Sequence, residues 1–135
     1  MAEIVRFAVS LDRKLFDKFE EYWKSKGYIS RSEAIRDLVR EALVEDIQEK
    51  NKLVFGSITL IYNHHEKGVG DLLTDIQHKH LHTIISSMHV HIDAHHCLEV
   101  IAVKGKYSEV KELADKLITV KGVKHGKLVV TAITP

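Results

Sequence analysis

The sequence has a single cysteine, so no disulfide can close within the chain and the fold must rest on packing. A lone thiol also favours a reducing compartment, and a cytoplasmic setting is expected. Neither sign of charge is in excess. Twenty Lys and Arg stand against nineteen Asp and Glu, for a formal net charge of +1 at pH 7. That balance excludes a whole-molecule field aimed at nucleic acid or anionic lipid, so any DNA contact must come from a local patch. Long apolar runs are missing too. No stretch approaches the roughly 20 apolar residues of a membrane span, and no basic segment followed by an apolar run marks a signal peptide.

What is present is 135 residues with 44% hydrophobic content. That suits one ordinary domain or two very small ones. A piece of about 50 residues buries too little surface to stand alone and needs a partner. Ten histidines are many for this length, and none sits in a purification-tag run. Four of the ten share the run from Met88 to Val100, "MHVHIDAHHCLEV", with the only cysteine.

In the first fifty residues, "VRFAVSL" alternates. Val5, Phe7, Val9 and Leu11 share one face, and Arg6, Ala8 and Ser10 the other, which reads as a short half-buried strand. Asp12 can cap a helix carrying Leu15, Phe16, Phe19, Tyr22 and Trp23 on one stripe, with Gly27 ending it. "SRSE", from Ser30 to Glu33, is a capping box, with Ser30 bonding forward and Glu33 reaching back. A second amphipathic helix follows. A lone strand has no partner in this segment. The same strand from a second chain supplies one, making a two-stranded ribbon over four helices. Such a ribbon fits the DNA major groove and would present Arg6, Ala8 and Ser10 from both chains. Ser30, Arg31 and Ser32, at a helix start, can hold a phosphate. An exposed Arg, Ala and Ser on an edge strand are equally compatible with a solvated face.

"VRFAVSLDRKLFDKF" followed by "GYISRSEAIRDLVREAL" resembles the ribbon-helix-helix domain of bacterial and archaeal repressors. In that family the outward strand residues read bases, which maps to Arg6, Ala8 and Ser10. The family usually places polar residues at all three, and Ala8 departs from that.

Composition shifts at "EDIQEKNK", Glu45 to Lys52, which lacks Pro and Gly and reads as a linker or a helix end. "LVFGSITLIYN" is a buried strand. "GVGDLLTDIQHKHLHTII" has helical spacing through Val69, Leu72, Leu73, Ile76 and Leu81. "SSMHVHI" and "CLEVIAVKG" are strands around a turn at Asp93 to His96. "SEVKELADKLITVKGV" is a helix capped by Ser108, and "KHGKLVVTAI" is the last strand. The order βαββαβ is the ferredoxin-like pattern. The expected class is α+β: a βαα domain over residues 1–48, a linker at 49–52, and a βαββαβ domain over 53–135.

His89 and His91 are two apart on a strand and point to one face. A turn about Ala94 sets His91 opposite Cys97 and His89 opposite Glu99, with facing Cβ atoms about 5 Å apart. One metal ion can bridge several of these groups. A thiolate with imidazoles suits zinc, copper or nickel, and a flat sheet favours a planar site, hence Ni(II) or Cu(II). Three ligands leave a fourth position open to His78, His80 or His82 on the preceding helix, or to His64 or His65.

"IQHKH", "SSMHVHIDAHHCLEVIAVKG" and "KGVKHGKL" resemble the nickel-responsive repressor family NikR. The resemblance implies an ACT-like metal-binding domain and nickel ligands His89, His91, Cys97 and His78, the last from a neighbouring subunit. It implies a homotetramer with regulatory domains in the middle and a DNA-binding dimer at each end. Glu99 can fix the tautomer of a ligand histidine. Tyr62, His64, His65 and His80 line the site or hold further metal. Glu33 and Asp37 look like the family's cation-bridging carboxylates. The expected function is repression of nickel-uptake genes by nickel-dependent binding to operator DNA. The rival readings are a sensor of copper, cobalt or zinc, a metal-storage or chaperone protein, and a metallohydrolase. No general base or substrate pocket is legible for the last, and no enzyme is expected.

Overall fold

The computed structural model describes residues 3–135. The chain forms two compact units, one ending at Glu41 and one from Ala42 to Pro135.

In the first unit, α1 spans Arg13–Ser25. Asp12 caps it as expected, its Oδ1 accepting from Leu15 N at 2.9 Å. Gly27, at φ 85, takes the left-handed conformation after the helix. The second helix, α2, spans Arg31–Glu49. Ser30 Oγ accepts from Glu33 N at 3.3 Å, and the Glu33 carboxylate accepts from Ile29 N at 3.4 Å, a return bond one residue earlier than the capping box predicts.

The strand expected over residues 5–11 is not formed in the single chain. Val5, Phe7, Val9 and Leu11 are exposed, Phe7 at 71%. The physical reason is the one the alternation already raised. A strand is held by bonds to a second strand, and among the described residues of this unit there is none.

The second unit holds β1 (Leu53–Asn63), α3 (Val69–His78), β2 (Ile84–His91), β3 (His96–Lys106), α4 (Tyr107–Ile118) and β4 (Val123–Thr131), the expected βαββαβ order. The sheet order is β2-β3-β1-β4 with antiparallel neighbours throughout, which is the ferredoxin-like arrangement. Ile58, Leu60, Tyr62, Cys97, Ile101 and Val103 line one face of the sheet and pack with Val69 and Leu73 of α3 and with Val110, Leu113 and Leu117 of α4. The boundary between the units falls inside α2, ahead of the polar run, because Val44 is buried and Ile47 packs on this core.

Two local expectations are corrected. The third helix stops at His78 instead of running on through Leu81, so His80 and His82 lie in a turn. Thr83 N and Ile84 N both donate to His80 O, and Lys104 N donates to Thr83 O, drawing the chain into the sheet. Ser108 does not cap α4. Its own amide donates to Asn51 Oδ1 at 2.7 Å.

Gly126 marks a close approach between layers. A Cβ there would lie 2.6 Å from Ile118 Cγ1 and 3.0 Å from Leu60 Cδ2. Gly126→Ala is expected to destabilise the domain by about 1–3 kcal/mol, read as a lower urea midpoint at unchanged slope. An unchanged midpoint would refute the tight packing.

Candidate functional site

The β2–β3 hairpin turns through Asp93, whose carboxylate accepts from His95 N and His96 N at 2.8 Å each. These bonds, His95 N first, hold the Asp93 carboxyl well below its ordinary range. The turn sets the register, with His91 opposite Cys97 and His89 opposite Glu99. β2 is an edge strand, so His89 and His91 stay exposed while Cys97 and Glu99 are 4% and 1% exposed.

Three ligand atoms converge. Cys97 Sγ lies 3.6 Å from His91 Nδ1 and 3.6 Å from His64 Nδ1. Among the described residues, His64, His91 and Cys97 form a group able to hold a metal ion. His64 arrives because His64 N donates to His95 O, stitching the end of β1 to the hairpin. Desolvation first, then the neighbouring imidazoles of His65, His91 and His95, push His64 below the ordinary histidine range.

His89, expected opposite Glu99, lies beside Glu99 and Tyr62. His89 Nε2 lies 3.4 Å from Glu99 Oε2, and His89 Nδ1 lies 3.4 Å from Tyr62 Oη. The buried Glu99 carboxylate also accepts from Tyr62 Oη at 3.3 Å and from Gln77 Nε2 at 2.9 Å. Three polar partners explain how a carboxylate tolerates this burial. Burial first, then Glu99 and Cys97, push the Tyr62 phenol up to about 12. Tyr62 Oη acts as a donor to Glu99. No sequence motif singles out Gln77, although it precedes His78 on α3. A buried acid that needs donors is the signal that finds it.

The remaining candidates are spread out. His78 ends α3 and is exposed, away from the sulfur group of its own chain. His80 Nδ1 donates to Ile76 O at 2.9 Å, and His65 Nε2 donates to Ala94 O at 2.9 Å. In the first unit, Arg6, Ala8 and Ser10 are exposed. Arg31 is bound through Nε to the Glu20 carboxylate and stands over the Phe16 ring, so its guanidinium is held on α1. Ser30 Oγ is engaged by the cap, and Ser32 is exposed. Asp37 accepts from Tyr28 Oη at 2.7 Å, while Glu33 faces Ile29 N.

Residues 5–46 match the family model described as ribbon-helix-helix protein, copG family, and residues 55–131 match the NikR C-terminal nickel binding domain. A Geobacter metallireducens protein described as a nickel-responsive regulator is 54% identical over 132 residues, covering 97% of this chain and 95% of its own. A Thermococcus kodakarensis protein of the same description is 53% identical over 130 residues, covering 96% and 94%. The chain belongs to the family of nickel-responsive regulators. A solved structure of an uncharacterized Thermotoga maritima protein shares the fold with TM-score 0.53 at 18% identity, covering 58% of this chain and 98% of its own. Both halves of a nickel-responsive regulator are accounted for by these matches, and the family is one of regulators, not enzymes.

The residues fit the metal of this family by donor chemistry. One buried sulfur with imidazole nitrogens at 3.6 Å is a borderline-soft set suited to nickel. The Glu99 carboxylate and Tyr62 hydroxyl lie beside His89, each 3.4 Å from a ring nitrogen, and are able to orient that ring. Among the described residues no helix is long and apolar enough to cross a membrane.

Proposed function

We propose that this chain is a cytoplasmic repressor that binds operator DNA when loaded with nickel, with nickel-uptake genes as targets. The observation that carries the reading is the Cys97 thiol, 4% exposed and met by ring nitrogens at the open edge of the sheet. His89, His91 and Cys97 of one chain, with His78 of a second, are the ligand set. The exposed placement of His78 at the end of α3 supports its donation to another chain. Glu99 and Tyr62 hold His89, while His64, His65 and His80 are outer or secondary metal contacts. When bound, nickel supplies four directional bonds that tie one chain's helix to its neighbour's sheet.

Residues 1–48 form the DNA-binding and dimerising half, and residues 53–135 the metal-binding and tetramer-forming half. Exposed Val5, Phe7, Val9, Leu15, Leu38 and Val39 support a second copy over the first unit, since one chain leaves this apolar surface open to water. Arg6, Ala8 and Ser10 then face the major groove, with Ser30, Arg31 and Ser32 at the backbone. Glu33 and Asp37, one helical turn apart on α2, are the cation-bridging carboxylates of this reading. Metal binding must favour the DNA-competent arrangement by differential affinity, and two linked dimers then gain from effective concentration.

Selection from random DNA by the full chain, repeated with nickel, copper, cobalt, zinc and no metal at fixed salt, tests this. Nickel should enrich one two-part sequence. Equal enrichment without metal would overturn the reading. Native mass spectrometry should show a tetramer. The group His64, His91 and Cys97 favours a second reading, a sensor of an ion that one chain holds alone, such as zinc or cobalt. Recovery of the same DNA by zinc or cobalt but not by nickel would select it.

Glu99→Gln is expected to weaken nickel binding by roughly tenfold or more, because the amide cannot orient His89 as the carboxylate does. Equilibrium dialysis measures it, and wild-type affinity would remove Glu99 from the site.

A further inference from the structure

The polar run ends in three residues beyond α2, Lys50 to Lys52, that are bonded back to the helix. Lys50 N, Asn51 N and Lys52 N donate to Asp46 O, Gln48 O and Ile47 O at 3.0 Å each. Asn51 sits at φ 53, the left-handed conformation that closes a helix and that asparagine tolerates better than most residues. Its side chain then reaches a different helix. Asn51 Oδ1 accepts from Ser108 N at 2.7 Å, and beside it Lys52 O accepts from Tyr107 N at 3.3 Å. α4 has no side-chain cap of its own, since Lys106 at the cap position makes none. One residue therefore ends α2 and supplies the missing cap of α4. Behind this junction, Val44 is buried and Ile47 packs on the core of the second unit.

We propose that Asn51 is a positioning residue, the pin of a clasp that makes the C-terminal stretch of α2 part of the metal-binding domain. α2 is unbroken from Arg31 to Glu49, so the helix that starts beside Ser30 is clasped at its far end. A rearrangement at the metal site then passes into α2 through a stiff connection, where a slack tether would dissipate it. The boundary of the second unit inside α2, between Glu41 and Ala42, follows from the same bonds and packing. The proposal rests on nickel-dependent DNA binding and adds the residue that transmits it.

The test uses the full chain with Asn51→Gly and Asn51→Asp. Glycine keeps the left-handed backbone and loses the acceptor oxygen. Aspartate keeps an acceptor at the start of α4. Three quantities are measured: hydrogen exchange at the Ser108 amide, nickel uptake, and affinity for a duplex selected by the nickel-loaded wild type, with and without nickel. Asn51→Gly should speed Ser108 exchange about fivefold. It should leave nickel uptake unchanged and cut the nickel-dependent gain in DNA affinity by about fivefold or more. Asn51→Asp should restore both. Unchanged exchange in Asn51→Gly overturns the clasp. Faster exchange with a wild-type gain overturns its role in transmission. A wild type with no nickel-dependent gain overturns the functional reading beneath it, and is told apart because it appears before any variant is made.

Discussion

Replacing Cys97 with alanine is expected to lower nickel affinity by more than about 100-fold and to remove nickel-dependent DNA binding. Outer contacts of a metal site are worth about 10–100-fold, and loss of a ligand costs more. Cys97 supplies the only cysteine sulfur in the chain, and two imidazoles sit 3.6 Å from it. The fold should survive. The thiol is small and the void is that of one atom, so the stability cost is about 1 kcal/mol. Equilibrium dialysis gives the affinity, and the sulfur-to-nickel charge-transfer absorption should vanish with the side chain. A variant that takes up nickel and binds DNA as the wild type does would mean that the sensor lies elsewhere.

The second large effect separates the two halves. Arg6→Ala should weaken binding to the selected duplex by about 30-fold or more while leaving nickel uptake unchanged. A bidentate arginine–guanine pair is worth about 1–3 kcal/mol, and a symmetric dimer loses it twice. Arg6 is exposed in the chain, so its removal disturbs no packing. Fluorescence anisotropy at fixed salt reads the loss. Two results would defeat base reading by Arg6. One is wild-type affinity. The other is an equal loss on unrelated DNA with a shallower salt dependence, the mark of a phosphate contact.

Most of the second domain was legible because its signals are local. The apolar run of β1, the helical spacing of α4 and the hairpin about Ala94 each depend on neighbours a few residues away. Parity alone put His91 across from Cys97 and His89 across from Glu99, as the pairing has it. Local patterns misled where they met a tertiary demand. The spacing of "HKHLH" continues a helix, yet the backbone bonds of Thr83 to the sheet end it at His78. Ser108 looks like a cap, but Asn51, 57 residues away, takes that position. Val5 to Leu11 has strand alternation, and a single chain offers it no strand to pair with.

The order of helices and strands from α1 to β4 and the register of the β2–β3 hairpin were legible in the sequence alone, because periodicity is a property of short segments. That His64 joins His91 beside the sulfur was decided only in three dimensions. His64 is 33 residues from Cys97, and it arrives there because β1 pairs with β3 and the loop beyond β1 is bonded to the hairpin. His89 stands by Glu99 as its register requires, and the pairing of β1 with β3 adds Tyr62 to its neighbours.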